Sequence, residues 1–251
     1  GKMLLNLRSG TLNVEIPQVE KPPLSNPIKS KLAIQRVPFL LGAVICLLMG
    51  LWVGLIRMGW VWPVHNPEWL YLHGPLMVCG FLGTVIGLER AVGLEKYWGF
   101  FAPFLAALGG IMFLILGAAS VFPMMLITIS SFFYSAIFLT VLIKHRDFPT
   151  SIMTLGALCW LIGNVLFLNG FMIYQLVPWW ICFLVFTIAG ERIELNRFLS
   201  PKSESDYFFI GIIVLASAAA LISMFSPQTG IKIFGLSLIL LMIWLFLFDI
   251  A

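Results

Sequence analysis

From Pro38 to Phe248 the sequence is a succession of eight apolar runs, each close to the ~20 residues with which an α-helix crosses a bilayer. That pattern constrains the fold more than any motif does. In hydrocarbon, backbone polar groups must be bonded within their own segment, so runs of this length form helices. We therefore expect an all-α, polytopic transmembrane bundle of about eight spans. Composition agrees, with 61% hydrophobic and 10% charged residues, against roughly 45–50% and 25% in soluble domains. A soluble globule is excluded. The net charge of +4 then reports orientation before partners, so the expected partner is the lipid bilayer and not nucleic acid.

The spans are read as Pro38–Met58, Leu70–Leu88, Trp98–Ser120, Phe122–Ile143, Ser151–Ile173, Val177–Gly190, Tyr207–Phe225 and Ile231–Phe248. The sixth continues through Glu191 and Arg192 to Arg197 in water. Residues 1–35 carry Pro17, Pro22, Pro23 and Pro27 among mixed charges and read as a tail. With that tail in the cytoplasm, 13 of the 15 Lys and Arg residues fall inside, leaving Arg57 and Lys232 outside. This satisfies the positive-inside rule at every loop, so the N-terminus is expected to be cytoplasmic, in a bacterial inner membrane. Residues 36–251 are then the membrane domain. The chain starts at Gly1 and stops at Asp249-Ile250-Ala251, just where the last span surfaces. We expect it to be the N-terminal part of a longer product.

The second span carries the unusual residues: His73 near its outer end, a ladder of glycines, and Glu89-Arg90 at its inner end. Ionisable groups are costly in a membrane and mark candidate function. At helical spacing His73, Met77, Gly80, Thr84, Gly87 and Ala91 share one face. The residues leave two readings. Either the glycines pack a neighbouring helix and His73 bonds at the interface, or the flat face seats a planar macrocycle with His73 as axial ligand to haem iron. Met77, one turn on, adds a soft thioether that suits copper equally. His65 lies on the same side in a loop with Trp60, Trp62 and Trp69, an interfacial composition, and is a candidate second ligand. His145, beside Lys144 and Arg146, reads as solvated loop.

A second constellation repeats. Thr84-x-x-Gly87-x-Glu89-Arg90 ends the second span and Thr187-x-x-Gly190-Glu191-Arg192 ends the sixth. The near-match suggests a parallel four-plus-four repeat. These four charges read either as a collar, with arginine on lipid phosphate and glutamate neutralising it, or as a proton path or cofactor-propionate clamp. Cys46, Cys79, Cys159 and Cys182 stand alone in apolar runs and read as small buried hydrophobes. Asn164 and Asn169 read as hydrogen-bonding glue between helices. No nucleophile motif, phosphate loop or catalytic carboxylate pair is present.

The run His73-Gly74-Pro75-Leu76-Met77-Val78-Cys79-Gly80-Phe81-Leu82-Gly83-Thr84, with Arg90 at its far end, resembles the histidine helices of NnrS-like membrane proteins. It is more loosely similar to the haem-ligating helices of haem–copper oxidase main subunits. The resemblance implies haem or copper, a nitric-oxide-related or respiratory setting, and a ligand role for His73 alone. Those families carry several membrane-embedded histidines where this chain carries one, so further ligands are expected from His65, from other subunits or from further spans. Three functions follow: haem or metal binding at His73, a non-catalytic structural or assembly subunit, and a small-solute transporter acting through Asn164 or the Glu-Arg pairs.

Overall fold

The computed structural model describes residues 36–64, 66–196 and 203–248. The expected tail, His65, Arg197 and the last three residues lie outside these. The described residues form an all-helical assembly with eight helices long and apolar enough to cross a membrane, and no strand occurs among them. The helices are α1 (Val37–Arg57), α2 (Pro75–Leu94), α3 (Phe101–Leu116), α4 (Val121–Lys144), α5 (Phe148–Leu168), α6 (Ile173–Asn196), α7 (Ser203–Phe225) and α8 (Pro227–Phe248).

Local chemistry explains most ends. Asp147 accepts from Thr150 N–H at 3.0 Å and caps α5, with Pro149 in its first turn. The start therefore falls earlier than the apolar run alone predicts, because the cap and not hydrophobicity sets it. Asn66 caps a short 3₁₀ turn, Pro67–Tyr71, in the same way through Glu68 N–H. Gly117 closes α3 at φ +86°, a conformation that a side chain would resist. Trp62 folds back on α1, its ring 4.4 Å from that of Trp52, whose indole N–H bonds Pro63 O.

In a bilayer, helices associate through close packing and hydrogen bonds, since lipid is as apolar as their surfaces. Both forces centre on α4, α5 and α6. Gly156 and Gly163 of α5 let α6 approach, one seating Phe183 and Phe186, the other Trp179 and Trp180. Trp160 stacks on Phe183 at 4.8 Å and meets Tyr134 edge-on at 5.3 Å, and all three are fully buried. Serines of α4 then tie the layers: Ser130 donates to Ala102 O of α3 at 2.7 Å and Ser135 to Ala157 O of α5 at 3.0 Å.

The buried share of each span rises from 28% in α1 and α8 to 56% in α5 and α6. The scaffold is thus centred on α5 and α6, with α2 at 44% packed against them. Leu40, Leu41, Leu48, Ile239, Met242 and Phe246 face outward, as a lipid-contacting surface should.

Candidate functional site

α2 begins with a proline, which supplies no N–H to the first turn, and its first eight residues, Pro75–Leu82, are wound as a π-helix. Such wider turns are rare and concentrate at functional sites. The apolar run gives no sign of this winding, because the 3.6-residue and wider periods differ little over two turns. Regular α-helix resumes at Gly83 and runs to Leu94.

His73 stands immediately before this segment, half-buried on α1. Its ring lies over Gly54, where a Cβ would come within 2.7 Å of Nδ1. Met77 lies over Gly50 in the same way, with Sδ 2.8 Å from the position of a Cβ. The Gly50-x-x-x-Gly54 pair is thus the seat of both side chains. His73 Nδ1 also reaches Gly50 O at 2.8 Å. A carbonyl only accepts, so Nδ1 donates its proton and, in the neutral ring, Nε2 keeps the lone pair.

The expected face of α2 does stay together, and it is covered. Gly80 sits between Cys46 of α1 and Gly110 of α3, Thr84 is buried and donates to Gly80 O at 2.6 Å, and Gly87 abuts Pro103 of α3. The ladder is therefore a helix-packing face. The other side of α2 meets the bundle centre, with Gly74 under Trp180 and Gly83 under Trp160.

Between these glycines lies a buried polar cluster. Trp160 Nε1 donates to Cys79 Sγ at 3.4 Å, the Cys79 thiol donates to Asn164 Oδ1 at 3.4 Å, and Trp180 Nε1 donates to the same oxygen at 3.0 Å. Asn164 therefore ties α5 to α2 and α6. The indole can only donate, which fixes the amide orientation. It leaves Asn164 Nδ2 buried without an acceptor among the described residues. Asn169 behaves otherwise: exposed at the end of α5, it bonds back to Val165 O of its own helix at 2.7 Å, so it is not glue between helices. The sequence reading missed Trp160 and Trp180 as members of this cluster. The signal was the seven-residue spacing of Gly156 and Gly163, which marks a helix face built for large neighbours.

At the opposite end of α2 from His73 the two Glu-Arg motifs meet. Arg90 Nη2 pairs with Glu191 Oε1 of α6, 101 residues away, and not with its neighbour Glu89, which is exposed. The Arg90 guanidinium also lies 5.5 Å from the ring centre of Phe138 on α4, within cation–π range. Arg192 is exposed and has an interaction of its own. The two motif glycines have unlike neighbours: Gly87 faces the helix that follows it, and Gly190 faces Pro149 O and Met153 of the helix that precedes it. The contacts around the two motifs do not repeat. His73 and the Glu-Arg charges occupy opposite ends of the bundle, and the cluster around Asn164 lies between them.

Among the described residues no three of His, Cys, Asp and Glu converge as a metal-binding group. All four cysteines are buried and unpaired by disulfide.

No curated protein and no solved structure matches the chain. One family model does, over residues 36–251, which takes in every helix described above. The chain belongs to the family described as Domain of unknown function (DUF8744).

Proposed function

We propose that this integral membrane protein holds a soft metal ion, copper, at the outer end of α2, with His73 Nε2 as donor and the Met77 thioether beside it. The supporting observation is the bond from His73 Nδ1 to Gly50 O at 2.8 Å. Metal-binding histidines characteristically donate their other ring N–H to a carbonyl or carboxylate, which fixes the tautomer and aims the free nitrogen. Imidazole and thioether together suit copper, and the thioether favours its reduced state. Both side chains converge on Gly50 and Gly54, so α1 supplies their alignment.

Of the two expected groups, haem fits these residues less well. The flat face below His73 is filled by Cys46, Gly110 and Pro103, which leaves no seat for a macrocycle along the glycines. A single small ion needs no such seat. Copper bound there would supply a redox-active, electron-accepting centre. The chain's own part is to orient His73 and to shield it on the α1 side. Further ligands would come from His65, a partner subunit or additional spans. The respiratory or nitric-oxide-related setting in a bacterial inner membrane rests on the resemblance of the His73 helix.

A second reading, a structural or assembly subunit without a cofactor, draws on the buried aromatic interior formed by Trp160, Trp180, Tyr134 and Phe183. Solute transport has less behind it, because the Asn164 oxygen is already taken by Trp180 and Cys79.

Copper(I) competition with a chromogenic chelator, on purified wild type, His73→Ala and Met77→Leu, tests the proposal. We expect one ion per chain, with affinity falling at least about tenfold in His73→Ala and less in Met77→Leu. Wild type that takes up no copper, or His73→Ala that binds as well, would end it. A Soret band lost in His73→Ala would restore haem. Stable co-purifying subunits with neither cofactor would favour the assembly role.

A further inference from the structure

The winding of α2 joins the Asn164 cluster to His73. Gly74 lies under Trp180, Cys79 bonds Asn164, and Gly83 lies under Trp160. Three residues of α2, spaced five and then four apart, thus all face α5 and α6. The fit is close at each. A Cβ on Gly74 would come within 3.3 Å of the Trp180 ring, and one on Gly83 within 2.6 Å of Trp160. Cys79 is fully buried; its thiol donates to Asn164 Oδ1 and its sulfur accepts from Trp160 Nε1, each at 3.4 Å.

Nine residues of chain carry Gly74 to Gly83. In an α-helix that is about two and a half turns, which would set the two glycines on opposite faces. The wider π ladder, with roughly four and a half residues per turn, makes it about two turns and sets them on the same face. Gly83 N–H bonds Val78 O, five residues back, as that ladder requires. An α-wound start could not keep all three contacts. With Gly83 held under Trp160, it would carry Gly74 about half a turn away from Trp180. His73 precedes Gly74 and would swing with it, off Gly54 and away from Gly50 O. The glycines supply only room. The directional part of the grip is the pair of bonds at Cys79, which no water replaces in the bilayer core.

We propose that Cys79 is a positioning residue for His73. By holding Asn164 and Trp160 it keeps the start of α2 π-wound, and that winding turns His73 and Met77 onto α1. Asn164 is then the anchor of the His73 end as well as a tie between helices. What His73 is aimed at rests on the proposed copper site; that it is aimed does not.

Solid-state NMR in lipid tests this without copper, on protein carrying ¹⁵N in the histidine rings and ¹³C in glycine, proline and tryptophan. In wild type, Gly74 should show a contact with Trp180 and Gly83 one with Trp160, a pair that only the π winding allows. Either contact without the other would overturn the assignment, with no variant involved. Cys79→Ala removes both bonds for the loss of one atom, and the contact between His73 Nδ1 and Gly50 should be lost. Cys79→Ser keeps a donor and an acceptor and should retain it. Gly87 and Pro103, beyond the π segment, should stay in contact in both variants, which a general loss of fold would not allow. A His73–Gly50 contact that survives in Cys79→Ala, or is lost in Cys79→Ser, would overturn the role of Cys79. Copper(I) affinity should follow the contact, falling about tenfold in Cys79→Ala and less than about twofold in Cys79→Ser. The expected contacts in protein that takes up no copper would support the positioning and end the metal reading alone.

Discussion

At the start of α2 stands a histidine bonded to a backbone carbonyl of α1; towards its other end α2 presents an arginine bonded to a carboxylate of α6. Gly50 O lies inside α1, so it already accepts from its own helix and takes His73 Nδ1–H as a second donor. One ring nitrogen is thereby spent on orientation and the other left for chemistry. Arg90 and Glu191 instead spend their charges on each other, and the Phe138 ring lies against the guanidinium. The comparison teaches where to look for activity. Charge that is paired across helices is structural, and a lone pair held out by a backbone bond is available.

The aromatic middle keeps the ends apart, so the largest effect should come from there. Trp160→Ala removes the stack on Phe183, the edge contact with Tyr134 and the bond to Cys79, and should cost about 3–5 kcal/mol. Unfolding in denaturing detergent would show it, together with loss of structure at both ends. Selective loss at one end would break the comparison.

Glu191→Ala should come next. It strands a partly buried guanidinium, but with side chains 22% and 36% exposed the cost is discounted to about 1–2 kcal/mol. The pair Arg90→Met with Glu191→Met should sit nearer to wild type in the same assay than Glu191→Ala does, and copper uptake should not change. Gly54→Ala addresses the His73 end. The added Cβ would stand within 2.7 Å of His73 Nδ1, pushing the ring off Gly50 O. We expect copper affinity to fall about tenfold, with a stability loss near 1 kcal/mol in thermal melts. His73→Ala should have the smallest effect on stability, below about 1 kcal/mol, because Gly50 O keeps its helix. Measurable unfolding in that variant would make His73 a structural residue.

Much of this architecture is legible in the sequence, because a bilayer asks for about 20 apolar residues per crossing and the chain supplies eight such runs. The ends moved where a cap overrode hydrophobicity, as at Asp147. Partners were not legible. Glu89 is the obvious mate for Arg90 by adjacency, yet on a helix neighbouring residues do not face each other, and Glu191 takes the role from another helix. The π-wound start of α2 leaves no compositional mark. His73 stood out because a histidine in a span is rare. Its seat became visible only when Gly50 and Gly54 came to lie beneath it, turning a common spacing into a specific one.

The tautomer of His73 bears most directly on all of this. With three histidines in the chain, ¹⁵N solid-state NMR of histidine-labelled protein at mildly alkaline pH, with His73→Ala for assignment, can read each ring separately. We predict that His73 is protonated on Nδ1 and bare at Nε2. A ring protonated on Nε2 would contradict the bond to Gly50, and with it the free donor on which the proposed metal site depends.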